Sequence, residues 1–364
     1  MNTSASPNYS ARRAALWQQA KTYGISALLV THATDYFYLS GFTGDSGALL
    51  ISRKGATLIT DGRFAIQARQ EAPGVEVFLQ KTSLFESAGK FIAASGVKSA
   101  GFDPAQLSVA QLTTLRKAAT NRCLWKPVGG LVAGLRALKA PQELAAMRRS
   151  ALLAGEVMNA AITLLKPGVR EFEVAAEIEY QMKKRGASGA AFETIVAFGE
   201  RSALPHARPT SKRLKKNELA VLDLGAILAH YCSDISRTVY LGKMPPRLRH
   251  CYQGVLEAQS AAIAAVRNGV TCGDIDAAAR QVLVAYKLDQ YFVHSTGHGL
   301  GLEVHEEPRV ARGQKKRLEA GNVITIEPGV YIQGVGGIRI EDDVAVHANR
   351  TEVLTRIPRE LIEL

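Results

Sequence analysis

The chain has 364 residues, 47% of them hydrophobic and 21% charged, with a mean hydropathy of −0.01; this balance excludes a disordered or fibrous protein and allows two domains with their own cores. Its net charge of +12 invites a nucleic-acid reading, but the basic clusters Lys212-Arg-Leu-Lys-Lys216 and Arg312-Gly-Gln-Lys-Lys-Arg317 lack interleaved aromatics and any nucleic-acid motif, so they read as solvated faces that at most attract acidic substrates or surfaces. Residues Met1 to Pro7 hold no apolar leader core and no later run approaches the roughly 20 apolar residues of a membrane span, so neither a nucleic-acid nor a membrane partner is expected, and the expected location is cytoplasmic.

In chain order, residues 11–23 read as a short helix and 25–30 as a strand. The stretch Tyr36-Phe-Tyr-Leu-Ser-Gly-Phe-Thr-Gly44 follows, then strands at 48–51 and 56–60, the second entering Asp61-Gly-Arg63. A helical pattern at 64–71 and a strand at 75–79 continue the alternation, giving a small α/β unit that ends near Trp125. Lys126-Pro-Val-Gly-Gly130 has the Pro and Gly content of a linker. The domains expected are therefore 1–130 and 131–364. Cys123, Cys232, Cys251 and Cys272 form no C-x-x-C pair in a chain that needs no staples, and are expected as reduced thiols.

The remainder repeats itself. Leu144, Met147, Ala151, Ala154, Met158, Ala161 and Leu165 recur at helical spacing, as do Leu248, Tyr252, Val255, Ala262 and Val266. Each long helix leads through a Lys-Pro-Gly168-Val or Arg-Asn-Gly269-Val turn into a second helix. The first of these second helices has acidic residues at its start, around Glu171, and Lys183-Lys-Arg185 at its end, as the helix dipole prefers. An H-x-x-P follows each pair, at His206 to Pro209 and His305 to Pro308, and then a two-strand apolar region. A repeat of about a hundred residues is too long for a solenoid unit, so two related halves packed face to face are expected.

That symmetry gives a common reason for four carboxylates in β-like apolar contexts. Asp223 and Asp234 come from one half and Glu327 and Glu341 from the corresponding places of the other. Side chains alternate along a strand, so Val221 shares a face with Asp223, Thr325 with Glu327 and Arg339 with Glu341. Acids converging at a seam repel one another unless they hold cations or share a proton. His298, in the glycine-rich run Ser295-Thr-Gly-His-Gly-Leu-Gly-Leu-Glu-Val-His305, adds an imidazole where the backbone could let a metal or ligand come close. Four oxygen donors and one nitrogen suit two divalent ions, Mn²⁺ first, with Co²⁺, Fe²⁺ or Zn²⁺ also compatible. A pair of ions roughly 3.5–4 Å apart is equipment for hydrolysis.

The set Asp223, Asp234, His298, Glu327 and Glu341 resembles the five-ligand signature of the pita-bread metallopeptidases, the family of methionine aminopeptidase, aminopeptidase P, prolidase and creatinase. Tyr38-Leu-Ser-Gly-Phe-Thr-Gly and Thr60-Asp-Gly-Arg63 look like the creatinase-type N-terminal domain, which points to the Xaa-Pro branch. The resemblance implies an α+β fold: a pita-bread catalytic domain of pseudo-twofold halves after a smaller creatinase-like α/β domain. It implies that Asp223 and Glu341 bridge two metals, that Asp234 chelates one and that His298 and Glu327 chelate the other, with Glu327 also shuttling the proton. It further implies that His305 meets the tetrahedral intermediate, that His206 and His294 line the substrate pocket, and that Tyr331 and Arg339 orient ligands. Arg309 matches an arginine that some prolidases carry, and would hold a dipeptide's carboxylate. The implied activity is removal of the N-terminal residue from short Xaa-Pro peptides in the manner of aminopeptidase P, with Xaa-Pro dipeptidase as the alternative and a homodimer as the assembly. Creatinase is disfavoured because it lacks the ligands. A non-catalytic pita-bread binding module is the rival from another class, and the intact ligand set argues against it.

Overall fold

The computed structural model describes residues 8–120 and 122–364; the leader reading on Met1 to Pro7 lies outside them. The chain divides into two compact units, Met1–Arg136 and Ala137–Leu364. The stretch read as a linker at 126–130 is partly ordered into the first unit. Lys126 and Pro127 finish the strand Leu124–Pro127, which lies at the end of its sheet, where a proline's missing N–H costs no ladder bond. The helix Leu131–Ala137 follows.

The first unit is built on a mixed six-stranded sheet in the order Glu76–Leu79, Gly55–Thr60, Gly47–Ser52, Ala27–Val30, Ser99–Phe102, Leu124–Pro127. Ala27, Leu29, Ala48, Leu50 and Ile59 from one face pack against Ala88, Ile92 and Leu115 from the helices Leu84–Ala94 and Val109–Ala118. The aromatic stretch after residue 32 is the helix Ala33–Ser40, closed by Gly41 at φ 87°, a left-handed conformation that glycine adopts without a Cβ clash. Asp61-Gly-Arg63 is a local turn: the Asp61 carboxylate accepts from Arg63 N at 2.9 Å and from its guanidinium at 2.8 Å.

The second unit carries the repeat. The helices Pro141–Thr163 and Glu171–Lys184 pair in one half, Pro246–Ala265 and Cys272–Ala285 in the other. All seven apolar positions read from 144 to 165 are buried, so the periodicity marked the packed face. One half contributes the strands Ile195–Phe198, Glu218–Leu224 and Ile235–Leu241; the other contributes Gly297–Gly299, Val323–Ile326 and Asp342–Val346 in a second sheet, together with the hairpin Gly329–Ile332 and Gly336–Arg339. Arg237, fully buried, fastens the halves: from the first it donates to the Glu341 carbonyl and, at 2.8 Å, to the Asp342 carboxylate of the second. All four cysteines are buried free thiols. Among the described residues no helix is long and apolar enough to cross a membrane.

One surface tie gives a pH signature. Glu352 accepts from Arg148 Nε at 2.9 Å and Nη2 at 2.7 Å, and from His347 at 2.8 Å; the bonds from Arg148 hold its carboxyl near 2, below the ordinary 4.5. A carboxyl depressed in the folded state stabilises the fold above its unfolded value and loses that contribution as pH falls. Arg148 is more than a third exposed, so solvent screening limits the gain to about 1 kcal/mol. Glu352→Gln should therefore be less stable than wild type at pH 7 in urea titrations, with a gap that narrows as pH drops from 4.5 towards 2. A gap unchanged at pH 3 would remove the electrostatic explanation.

Candidate metal centre

Five side chains named from the sequence meet at the seam of the two halves. Asp223 lies in Glu218–Leu224, and Asp234 immediately precedes Ile235–Leu241, its antiparallel neighbour. His298 is the middle residue of Gly297–Gly299, Glu327 follows Val323–Ile326, and Glu341 sits between Gly336–Arg339 and Asp342–Val346. The glycines beside His298 serve a purpose other than the one expected. A Cβ at Gly297 would fall on the Thr325 carbonyl and one at Gly299 on the Glu307 carbonyl, so their bareness admits neighbouring strands, not a ligand.

Asp234, His298 and Glu341 each offer a ligand atom, and the three atoms lie within 4.8 Å of one another. His298 Nε2 is 3.5 Å from Glu327 Oε1 and 3.8 Å from Asp234 Oδ2. The other ring nitrogen, Nδ1, lies 3.0 Å from the Gly299 carbonyl; a carbonyl only accepts, so Nδ1 carries the proton and Nε2 keeps its lone pair for a cation. The carboxylates are tied by one oxygen in the same way. Asp223 Oδ2 accepts from Arg339 Nη2 at 2.6 Å, and Glu341 Oε2 accepts from Ser236 Oγ at 2.7 Å. Asp223 Oδ1 is buried and has no hydrogen-bond partner among the described residues, an unmet acceptor of the kind a bound cation satisfies.

The electrostatics suit a cation site. Burial, and then the neighbouring Glu341 and Asp223, hold the Asp234 carboxyl well above its usual range. Glu341 is raised by burial and by Glu327 and Asp223. Glu327 is pushed up to about 8, mainly by burial, with Arg339 opposing. Burial lowers His298 to about 4, so its imidazole is neutral at physiological pH, as a ligand must be. Acids packed this tightly reverse their shifts when a divalent ion replaces their protons. The donor set thus fits the two cations inferred from the sequence.

A cavity of about 260 Å³ opens onto Asp223, Asp234 and Glu341, with His206, His305, Ile195, Phe192 and Val304 among its other walls. The His305 and His298 rings meet edge to face, 4.4 Å between centroids, and burial lowers the His305 pKa. His294 and Tyr331 are not wall residues. They form a chain whose polarity is set by its end: Arg339 Nη1 donates to Tyr331 Oη at 2.7 Å, leaving the Tyr331 hydroxyl to donate to His294 Nε2 at 2.9 Å, while His294 Nδ1 donates to the Ser295 carbonyl. Both His294 nitrogens are thereby engaged. Arg309 is an exposed residue of the strand Glu306–Val310, away from the cavity wall. Two groups escaped the sequence reading. Ser236 bridges Arg339 Nε, at 2.9 Å, to Glu341, and Asp343 accepts from the Asp234 amide at 3.1 Å. A serine within Ser-Asp-Ile-Ser and the second acid after Glu341 were visible, but only the pairing of strands says which of them turn inward.

The sequence matches the family described as metallopeptidase family M24 over residues 145–348 and the creatinase/prolidase N-terminal domain over residues 12–138. An Xaa-Pro dipeptidase of Pyrococcus horikoshii is 38% identical over 340 residues, 93% of this chain and 95% of that protein. Among solved structures, an Xaa-Pro dipeptidase from Bacillus anthracis superposes with a TM-score of 0.95 at 36% identity, covering 98% of this chain and all of its own. An X-Pro aminopeptidase from Thermotoga maritima gives 0.87 at 33% identity, covering 95% of this chain and all of its own.

Proposed function

Because this chain belongs to metallopeptidase family M24, in the branch that carries a creatinase/prolidase N-terminal domain, we propose that it is an Xaa-Pro dipeptidase holding two divalent cations on Asp223, Asp234, His298, Glu327 and Glu341. The observation that carries the reading is that three of these donors, Asp223, Asp234 and Glu341, open onto a cavity of about 260 Å³ walled by His206 and His305. Of the two length preferences expected from the sequence, the dipeptidase is better supported by relatives that are near full-length matches. Mn²⁺ is the ion proposed, since oxygen donors dominate.

When bound, the cations would supply Lewis acidity to the scissile carbonyl and to the attacking water. The chain's own residues do the rest. Glu327 takes a proton from the attacking water and passes it to the proline nitrogen as the C–N bond breaks, releasing the first residue as its carboxylate and proline as its amine. His305 and His206, on the cavity wall, donate hydrogen bonds to oxygen that gains charge in the transition state. Arg339 holds Asp223 by one oxygen and, through Tyr331, fixes the ring of His294, which stands 4.0 Å from Glu327. These three act by positioning.

The test is a comparison of kcat/KM for an Xaa-Pro dipeptide and an Xaa-Pro-Yaa tripeptide with the Mn²⁺-loaded protein. The dipeptide should be cleaved faster by about tenfold or more, the discrimination that one lost charge-assisted contact allows. Equal or faster cleavage of the tripeptide would return the protein to the aminopeptidase P reading.

A further inference from the structure

We propose that Asp276 and Arg280 are a positioning pair for the proton shuttle: from the helix Cys272–Ala285 they fix residues 292–296, and through the Thr296 carbonyl they set the place of Glu327. The proposal deepens the metallopeptidase function proposed above and rests on it. The two residues stand four apart and so share one face of the helix, with Arg280 Nε 2.7 Å from Asp276 Oδ2. Neither lines the metal-site cavity. Asp276 is 1% exposed, and a carboxylate buried that far needs partners for both oxygens. Its other oxygen, Oδ1, accepts from Thr296 Oγ1 at 2.8 Å and from Thr296 N at 3.3 Å. The guanidinium takes the carbonyls upstream. Nη2 donates to His294 at 2.7 Å and Nη1 to Phe292 at 3.3 Å, and the group lies over the Phe292 ring, 4.3 Å from its centroid.

The segment runs from the turn Asp289–Tyr291 to the strand Gly297–Gly299 and belongs to neither. Its path is therefore not set by a ladder, and the pair supplies hydrogen bonds that a sheet would otherwise give. What the segment carries gives the pair its reach. The Thr296 carbonyl accepts from Glu327 N at 2.8 Å, and the ligand His298 is two residues further on. Glu327 lies one residue past the strand Val323–Ile326 and its paired register, so its amide is held by Thr296 and not by the sheet. His294, whose carbonyl Arg280 holds, stands 4.0 Å from the Glu327 carboxylate. A shift of the segment thus moves the carboxylate that must meet the attacking water, and misplacement by about 1 Å can cost roughly 10²-fold in rate. Asp276 and Arg280 also border a second cavity, of about 370 Å³, with Gln281, Val284 and Arg312, from which a small cation can reach the place of the guanidinium.

Steady-state kinetics of the Mn²⁺-loaded protein on an Xaa-Pro dipeptide, with bound metal and the Mn²⁺-dependent rise in Tm measured beside them, would test the pair. Arg280→Ala should lower kcat roughly 10–100-fold, the usual range for a group that orients a metal site from behind, with KM, bound metal and the rise in Tm nearly unchanged. Millimolar guanidinium should raise the kcat of this variant and not that of wild type. Thr296→Val, which removes the hydroxyl and keeps the shape, should lower kcat roughly tenfold, while Thr296→Ser should stay near wild type. Since both sites act through Asp276, the double variant should lose less than the product of the single losses. Should Arg280→Ala fail to fold, the two Thr296 variants carry the test. Losses that multiply, a Thr296→Val with wild-type kcat, or a fall in kcat that only follows lost metal would overturn the pair and leave the metallopeptidase reading intact. A wild-type protein that binds Mn²⁺ and cleaves neither an Xaa-Pro dipeptide nor an Xaa-Pro-Yaa tripeptide would overturn that reading and the pair with it.

Discussion

Asp234→Ala and His298→Ala are expected to lose bound metal and hydrolysis together while keeping the native far-UV circular dichroism. Each removes one of three ligand atoms that lie within 4.8 Å of one another. Loss of a supporting partner behind a ligand costs roughly 10–100-fold in affinity or activity, so loss of the ligand itself should exceed that range. Stability gives a second readout with a distinctive sign. Asp223, Asp234 and Glu341 are buried close together, and without cations their charges oppose one another. Asp234→Asn, which keeps the volume and removes the charge, should leave the metal-free protein at least as stable as the metal-free wild type. Wild type alone should then gain on adding Mn²⁺, by about 2.7 kcal/mol at a hundred times the dissociation constant. Full activity after chelation, or an equal Mn²⁺-dependent gain in Asp234→Asn, would refute the ligand assignment.

His305→Ala should lower kcat by roughly 10²-fold or more with metal content unchanged, the magnitude seen when one preorganised donor to a developing oxyanion is removed. The side chain lines the cavity without being part of the close cluster of ligand atoms, and its ring is held against His298. Partial burial lowers its pKa, which favours the neutral ring with one N–H to donate. Metal analysis beside the kinetics separates the two roles: a fall in bound metal would make His305 a ligand support, and an unaltered kcat would make it structural.

Much of this was legible in the chain. The periodic apolar positions of the long helix at 141–163 are the buried ones because a 3.6-residue period can present only one face to a core. The duplication was legible because two halves sharing a fold must repeat their turns and helix starts. The acids stood out because a carboxylate inside an apolar strand is costly to bury and needs a reason. Less was legible where the chain turns. The aromatic stretch ending at Gly41 is a helix, though its tyrosines and phenylalanines suit a strand equally, and its identity depends on the packing of Tyr36 and Leu39 in the first unit's core. The glycines around His298 looked like room for a ligand and proved to be room for neighbouring strands.

The sequence by itself determined the residue types of the site, their spacing and the two-halved plan, since these follow from periodicity and from the chemistry of acids and imidazole. Only the tertiary structure decided which oxygens of Asp223 and Glu341 are tied, that Ser236 and Asp343 reach the acids, that both nitrogens of His294 are engaged, and that Arg208 lines the cavity where Arg309 does not. The reason is physical. Hydrogen bonds between groups a hundred residues apart, such as Arg339 to Asp223 or Ser236 to Glu341, depend on how strands register and loops are anchored. Those are set by packing over the whole unit, and local sequence carries no record of them.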